Sequence, residues 1–190
     1  DPSSILDESM KSILFQNDYY GRPIIGWKSE IENLNYQNVM DFYKKSYGPN
    51  NAVLILSGDI SIDRAMSLTK KYYSKIEKTN TTEKHTIQNP PMKTNVFVEH
   101  SNQDIRQSIW KKLYRTHSYR TSIVDGIALD IGLKILMGGS SSLLYDKLVN
   151  NEKIFSMIGG FYQGLSKGDG YIYLYAIPIR EINSREIDSL

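Results

Sequence analysis

Tyr20-Gly21-Arg22-Pro23-Ile24-Ile25-Gly26-Trp27 precedes a helical pattern over residues 35–47, and Gly48-Pro49-Asn50-Asn51-Ala52-Val53-Leu54-Ile55-Leu56-Ser57-Gly58-Asp59 follows it directly. The first stretch reads as a rigid loop, because Gly and Pro punctuate it. Asn35 is a good N-cap, and Val39, Met40 and Tyr43 recur at helical spacing to make an inward face. Gly48-Pro49-Asn50 supplies the residues that stop a helix. The continuous apolar run 52–57 predicts a strand buried on both faces. Ser61 caps the next helix, whose stripe is Ile62, Ala65, Met66, Thr69, Tyr72, Tyr73 and Ile76.

Working outward, residues 3–15 read as a helix with Ile5, Leu6, Ser9, Met10 and Ile13 on one side. Residues 78–94 are rich in Thr, Asn and Lys and contain Pro90-Pro91, so they read as an exposed linker holding a domain boundary. Beyond it, 95–99 and 105–114 are strand candidates, the second carrying Ile105, Ile109, Trp110 and Leu113. Ser122 with Asp125 opens a helix that runs to Met137. Its Ile123, Ile127, Ile131 and Ile135 recur every four residues and are expected in the core. Gly138-Gly139 breaks this helix, and a short one restarts over 140–151. Residues 155–162 and 171–177 predict two antiparallel strands joined by a Gly-rich turn over 164–170. Tyr171, Tyr173 and Tyr175 share one face, with Ile172, Leu174 and Ile177 largely on the other.

The chain has 190 residues, 40% hydrophobic, enough for one domain or parts of two. Its 23 basic and 21 acidic residues leave a net charge of +2, which does not favour nucleic acid or an anionic membrane as partner. Cys is absent, so no thiolate is available to a metal. No apolar run approaches the roughly 20 residues of a membrane span. The start lacks a basic-then-apolar signal pattern. Bacterial-type cytoplasm or periplasm and the mitochondrial matrix all stay open. Asn183-Ser184-Arg185-Glu186 is a capping box for a helix, yet the chain stops at Leu190. The expectation is a fragment of a longer protein.

Several stretches together resemble the pitrilysin/insulinase family of zinc metallopeptidases, which includes the mitochondrial processing peptidases. Asp18-Tyr19-Tyr20-Gly21 resembles the family's His-Pro-Tyr-Gly loop, and Tyr47-Gly48-Pro49-Asn50-Asn51 its Tyr-x-Pro-Asn-Asn turn. Ser57-Gly58-Asp59 resembles its strand-ending Gly-Asp. Gly138-Gly139-Ser140-Ser141-Ser142-Leu143-Leu144 is similar to its Gly-Gly-Ser-Ser-Arg-Leu element. The resemblance implies repeated α+β domains, each a mostly antiparallel sheet with helices packed on one side. Residues 1–78 would end a first repeat, 79–92 would link, and 93–190 would hold most of a second. It also implies Zn2+ in the parent protein, a peptide or unfolded-protein substrate, and a homo- or hetero-dimer partner.

The family's zinc site uses His-x-x-Glu-His on a helix, which sets both imidazoles on one face with the Glu beside them as general base. The chain has three His, His85, His100 and His117, and none begins that motif. They read as incidental surface residues. No catalytic or metal-ligating residue is assigned, and the substrate-binding residues are not legible. The family's zinc-free half often carries an Arg and, seven positions on, a Tyr that help hold the substrate. The matching positions are Val149 and Ser156, and Leu143 replaces the Arg of Ser-Ser-Arg-Leu.

Weaker signals have bland readings. Ser140-Ser141-Ser142 lacks the Lys-Ser/Thr ending of a phosphate loop and the Gly-x-Ser-x-Gly elbow of a nucleophile, so a helix break and cap explains it. Lys70-Lys71, Lys111-Lys112, Arg115 and Arg120 read as a solvated face. Asp125, Asp130 and Asp146 read as capping and solubilising carboxylates. Two functional readings follow from the resemblance. One is a segment of a zinc metalloendopeptidase that forms the substrate-chamber wall and a subunit interface without the zinc site. The alternative is a non-catalytic core or assembly subunit of the same fold.

Overall fold

The structure, a computed structural model, describes residues 1–79 and 89–190. The chain divides into two units, one made of Asp1–Ile24 with Thr86–Leu190 and the other of Ile25–His85. In this grouping the first 24 residues pack with the later sheet.

The first unit is built on three antiparallel strands, β1 (Trp110–Thr116), β2 (Phe155–Gln163) and β3 (Gly170–Pro178), in the order β1-β3-β2. The expected α+β class with an antiparallel sheet is therefore present. β3 is central, with Leu113 and Phe161 flanking Tyr173, and Trp110 and Ile158 flanking Ala176. A register irregularity between Phe155 and Met157 interrupts β2. Two sequence expectations need correction here. Residues 95–99 form no strand, and the strand expected from Ile105 begins at Trp110. A strand exists where its N–H and C=O groups find a neighbour, and β3 offers partners to β1 from Trp110 on.

α5 (Ile123–Met137) starts where Ser122 Oγ accepts the Asp125 N–H at 3.4 Å. It lies over β2, with Leu133 buried near Gly160. Leu143–Tyr145 (α6) leads into a π-helical turn, Asp146–Asn151, in place of one short helix over 140–151. Asp146 accepts hydrogen bonds from the Asn150 and Asn151 side chains, each at 3.1 Å. Leu148 from this turn, Phe155 and Ile158 from β2, Ala176 from β3 and Ile187 from α7 (Ser184–Ile187) make the core. Ile158, Gly160 and Ala176 share a face by register, so these helices cover one side of the sheet.

The opposite side carries α1 (Pro2–Leu14), which the sequence did not place there. Lys111, only 4% exposed at its side chain, donates to Asp7 Oδ1 at 2.8 Å and to Ser3 Oγ at 2.6 Å. Tyr173 also donates to Asp7 Oδ1, at 3.0 Å, and stacks on Phe161 at 5.1 Å. Phe15, buried, meets Tyr171 edge-on at 5.9 Å. Arg115 donates to the carbonyls of Leu14 and Pro90 and lies 3.4 Å from Asp169.

The isoleucine stripe of α5 is a further correction. Ile127, Ile131 and Ile135 are 48, 54 and 55% exposed. The reason is geometric. At 3.6 residues per turn a four-residue repeat advances about 40° per step, so the series spirals away from the face that Gly126 and Leu133 turn to β2.

The second unit contains α2 (Lys28–Glu32), α3 (Tyr36–Ser46) and α4 (Ile62–Tyr73). α3 and α4 start where the caps predict. Asn35 Oδ1 accepts from Asn38 N at 3.0 Å while Asn38 Oδ1 accepts from Asn35 N at 3.2 Å. Ser61 Oγ accepts from Arg64 N at 3.3 Å. Asn50 ties the following turn to Thr79, accepting its N–H at 3.0 Å and donating to its carbonyl at 2.8 Å. The strand expected over 52–57 is not formed. No strand is assigned there, and Val53 and Ile55 are 87 and 83% exposed. Among the described residues of this unit only Gly48 is buried. The inward faces expected on α3 and α4 are likewise exposed at Val39, Tyr43, Met66 and Tyr72.

Candidate functional site

β2 is an edge strand. It pairs with β3 on one side, and among the described residues no strand pairs with the other. Every second residue along such an edge offers its N–H and C=O outward, which makes it a template for another extended chain. Beside this edge runs an open groove of about 600 Å3. Leu133 and Met137 of α5, Tyr145, and Met157, Phe161 and Tyr175 of the sheet form much of its apolar lining.

The sequence builds the groove through two glycines. A Cβ on Gly159 would stand 2.5 Å from the Tyr175 hydroxyl, and one on Gly160 would stand 2.8 Å from Leu174 Cδ2. Their absence lets the Tyr175 ring lie against β2 and lets the α5 side of the strand stay low. Asp130 sits at the rim, accepting from the Tyr119 hydroxyl at 3.2 Å and lying 3.6 Å from Lys134 Nζ. Tyr162 donates to the His117 carbonyl at 2.7 Å. Burial, and then the Asp130 and Asp125 charges, push the Tyr162 phenol up, so it stays neutral at physiological pH. The groove thus offers backbone pairing and apolar surface, with its rim carboxylate already engaged. That arrangement suits binding an extended chain. It does not align a base with a nucleophile.

The residues singled out in the sequence are not brought together. His85 lies outside the described residues. His100 is half-buried in a loop, with its Nε2 unpartnered. His117 is 60% exposed at its side chain, 3.9 Å from Asp125 and 3.5 Å from Thr121 Oγ1. Among the described residues no three His, Cys, Asp or Glu side chains are placed to hold a metal ion, so the described residues do not fit a zinc site. Val149 packs against the core, Ser156 spends its hydroxyl on the Ile177 carbonyl at 3.1 Å, and Leu143 is exposed. The groove residues Leu133, Met137, Gly159, Gly160 and Tyr175 were not recognised in the sequence. A Gly pair inside a strand pattern was the available signal.

Known proteins share this fold. The family described as the peptidase M16 inactive domain matches residues 33–187. A zinc protease of Helicobacter pylori, PqqE, is 27% identical over 164 residues, covering 83% of this chain and 35% of that protein. A solved protease structure from Helicobacter pylori superposes with TM-score 0.68 at 20% identity, over 99% of this chain and 49% of that one. The peptidase M16 inactive domain from Pseudomonas fluorescens gives TM-score 0.73 at 17% identity, over 94% of this chain and 42% of that one. The chain thus spans about a third of the curated relative and under half of each solved structure. With the family pattern extending over most of its length, the chain belongs to the peptidase M16 inactive-domain family.

Proposed function

We propose that the chain is a segment of a zinc-dependent metalloendopeptidase that walls the substrate chamber and contributes a subunit interface, without the zinc site itself. The observation that carries this reading is the unpaired edge of β2 with its apolar groove. A peptide or unfolded protein adds to that edge as a fourth strand, held by main-chain hydrogen bonds. The zinc ion and its His-x-x-Glu-His helix belong to a part of the parent protein outside these residues. The repeat division, with 1–78 ending one repeat and 93–190 holding most of the next, belongs to the same proposal. So does a partner, a homo- or hetero-dimer, that supplies the Arg and Tyr replaced here by Val149 and Ser156.

The alternative is a non-catalytic core or assembly subunit. The same two residues favour it, since Val149 is committed to the core and the Ser156 hydroxyl to the backbone. A quenched-peptide assay decides. The 190-residue chain, dialysed and supplied with zinc, gives no chelator-sensitive cleavage, and a longer polypeptide that includes the upstream sequence gives it when mixed with its other half. Chelator-sensitive turnover by the chain alone would overturn the division of labour. No turnover by the longer protein in any mixture would favour the assembly subunit.

A further inference from the structure

We infer that the groove beside β2 is a side-chain pocket that selects one large apolar residue, aromatic or branched aliphatic, from a peptide paired to that strand. This rests on the edge-strand reading above and adds its specificity. The groove is continuous with the unpaired edge, so a chain that pairs there lays alternate side chains on the α5 side of the sheet. What those side chains meet is apolar. Leu133, Met137 and Tyr145 form one wall, and Ile158 with the bare backbone of Gly160 the other. At about 600 Å3 the groove lies inside the roughly 300–1,000 Å3 range of pockets that take a small ligand. A large side chain and the flanks of its neighbours fit that space.

Charge does not compete with this preference. Asp130 is engaged by Tyr119 and Lys134, so no unpaired carboxylate at the rim calls for a basic residue. A carboxylate on the peptide would be desolvated beside Asp130 without a free cation from the groove. Met137 brings an unbranched, deformable side chain to the lining, which suits aromatic and aliphatic guests alike. The selectivity falls on one position of the bound peptide. Its immediate neighbours point to the other face of the sheet.

Fluorescein-labelled ten-residue peptides of Ser, Thr and Gln, each with a single central Phe, Leu, Ala or Asp, test this by anisotropy titration against the 190-residue chain. Phe and Leu guests bind roughly tenfold or more tightly than Ala, and Asp binds weakest. Met137→Trp, which fills the groove from the α5 wall at a half-buried position, brings the Phe-to-Ala ratio towards one. The guest series on the unaltered chain decides the matter even if that variant misfolds. Equal affinities for all four guests would overturn the pocket and leave edge pairing standing. Binding by none of the peptides would overturn both.

Discussion

Two apolar extended segments in this molecule meet opposite fates. Residues 170–178 become β3, paired on both sides and contributing Ala176 to the core. Residues 52–57 are at least as apolar and stay unpaired and exposed. Both units have well-capped helices, so caps do not distinguish them. The difference is non-local. A cap is satisfied by residues three positions away, but a strand is satisfied only by another strand. The 110–178 region carries its own hairpin and a third strand. The 25–85 region presents a hydrophobic run and two amphipathic helices with no sheet among its described residues to receive them.

The largest expected effect tests this contrast directly. Ile158→Asp places a carboxylate among Leu148, Phe155 and Ile187. It should cost several kcal/mol, a large part of a typical ~5–15 kcal/mol stability, and abolish the cooperative melting of the sheet unit. Ile55→Asp, at an 83% exposed site, should change the same melting transition by less than about 0.5 kcal/mol. Equal effects would mean that 52–57 is buried after all.

Next is the clasp that holds α1 on the sheet. Lys111→Met removes the ammonium that joins Asp7 and Ser3 to β1. A loss of about 1–3 kcal/mol is expected, with amide protection falling in α1 and staying in β2 and β3. Unchanged α1 protection would show that Phe15 packing suffices.

A pH profile sharpens the same contact. Burial first, and then Asp7, raise the Tyr173 phenol above its ordinary value of about 10. The unfolded chain releases that proton first. The stabilisation is therefore complete below about pH 10 and is lost as pH climbs towards the raised value. The melting temperature should fall between about pH 9 and 11. Tyr173→Phe should weaken that dependence, and an identical slope would remove Tyr173 from the account. Lys112, raised chiefly by its hydrogen bond to Asp188, acts in the same direction.

The smallest effect concerns Lys153, which adopts φ 52° before β2. Glycine accepts that left-handed backbone without Cβ strain, so Lys153→Gly should stabilise the sheet unit by up to about 1 kcal/mol. A clear loss of melting temperature would show that the Lys side chain matters more than the backbone.

Much of the fold was legible because its signals are local. Ser122 and Met137 bound α5 as read, and the 155–162 and 171–177 patterns form the hairpin around central β3. Errors came where partners are distant. The apolar run at 52–57 could announce its need for a sheet but not whether one is present. The isoleucine repeat announced a helix, but its drift around the axis hid which residues face β2. The site was less legible than the fold. Family-pattern positions drew attention to Val149 and Ser156, which serve packing and backbone bonding. The edge of β2 depends on strand order, and no residue type spells that out.

The central claim is that a peptide joins this protein at β2 and not at its other extended, unpaired run. Amide hydrogen exchange on the 190-residue chain, with and without the Phe-guest peptide, reads both segments in one experiment. The account predicts added protection across Phe155–Gln163 and none across residues 52–57. Protection gained at 52–57 with β2 unchanged would contradict it.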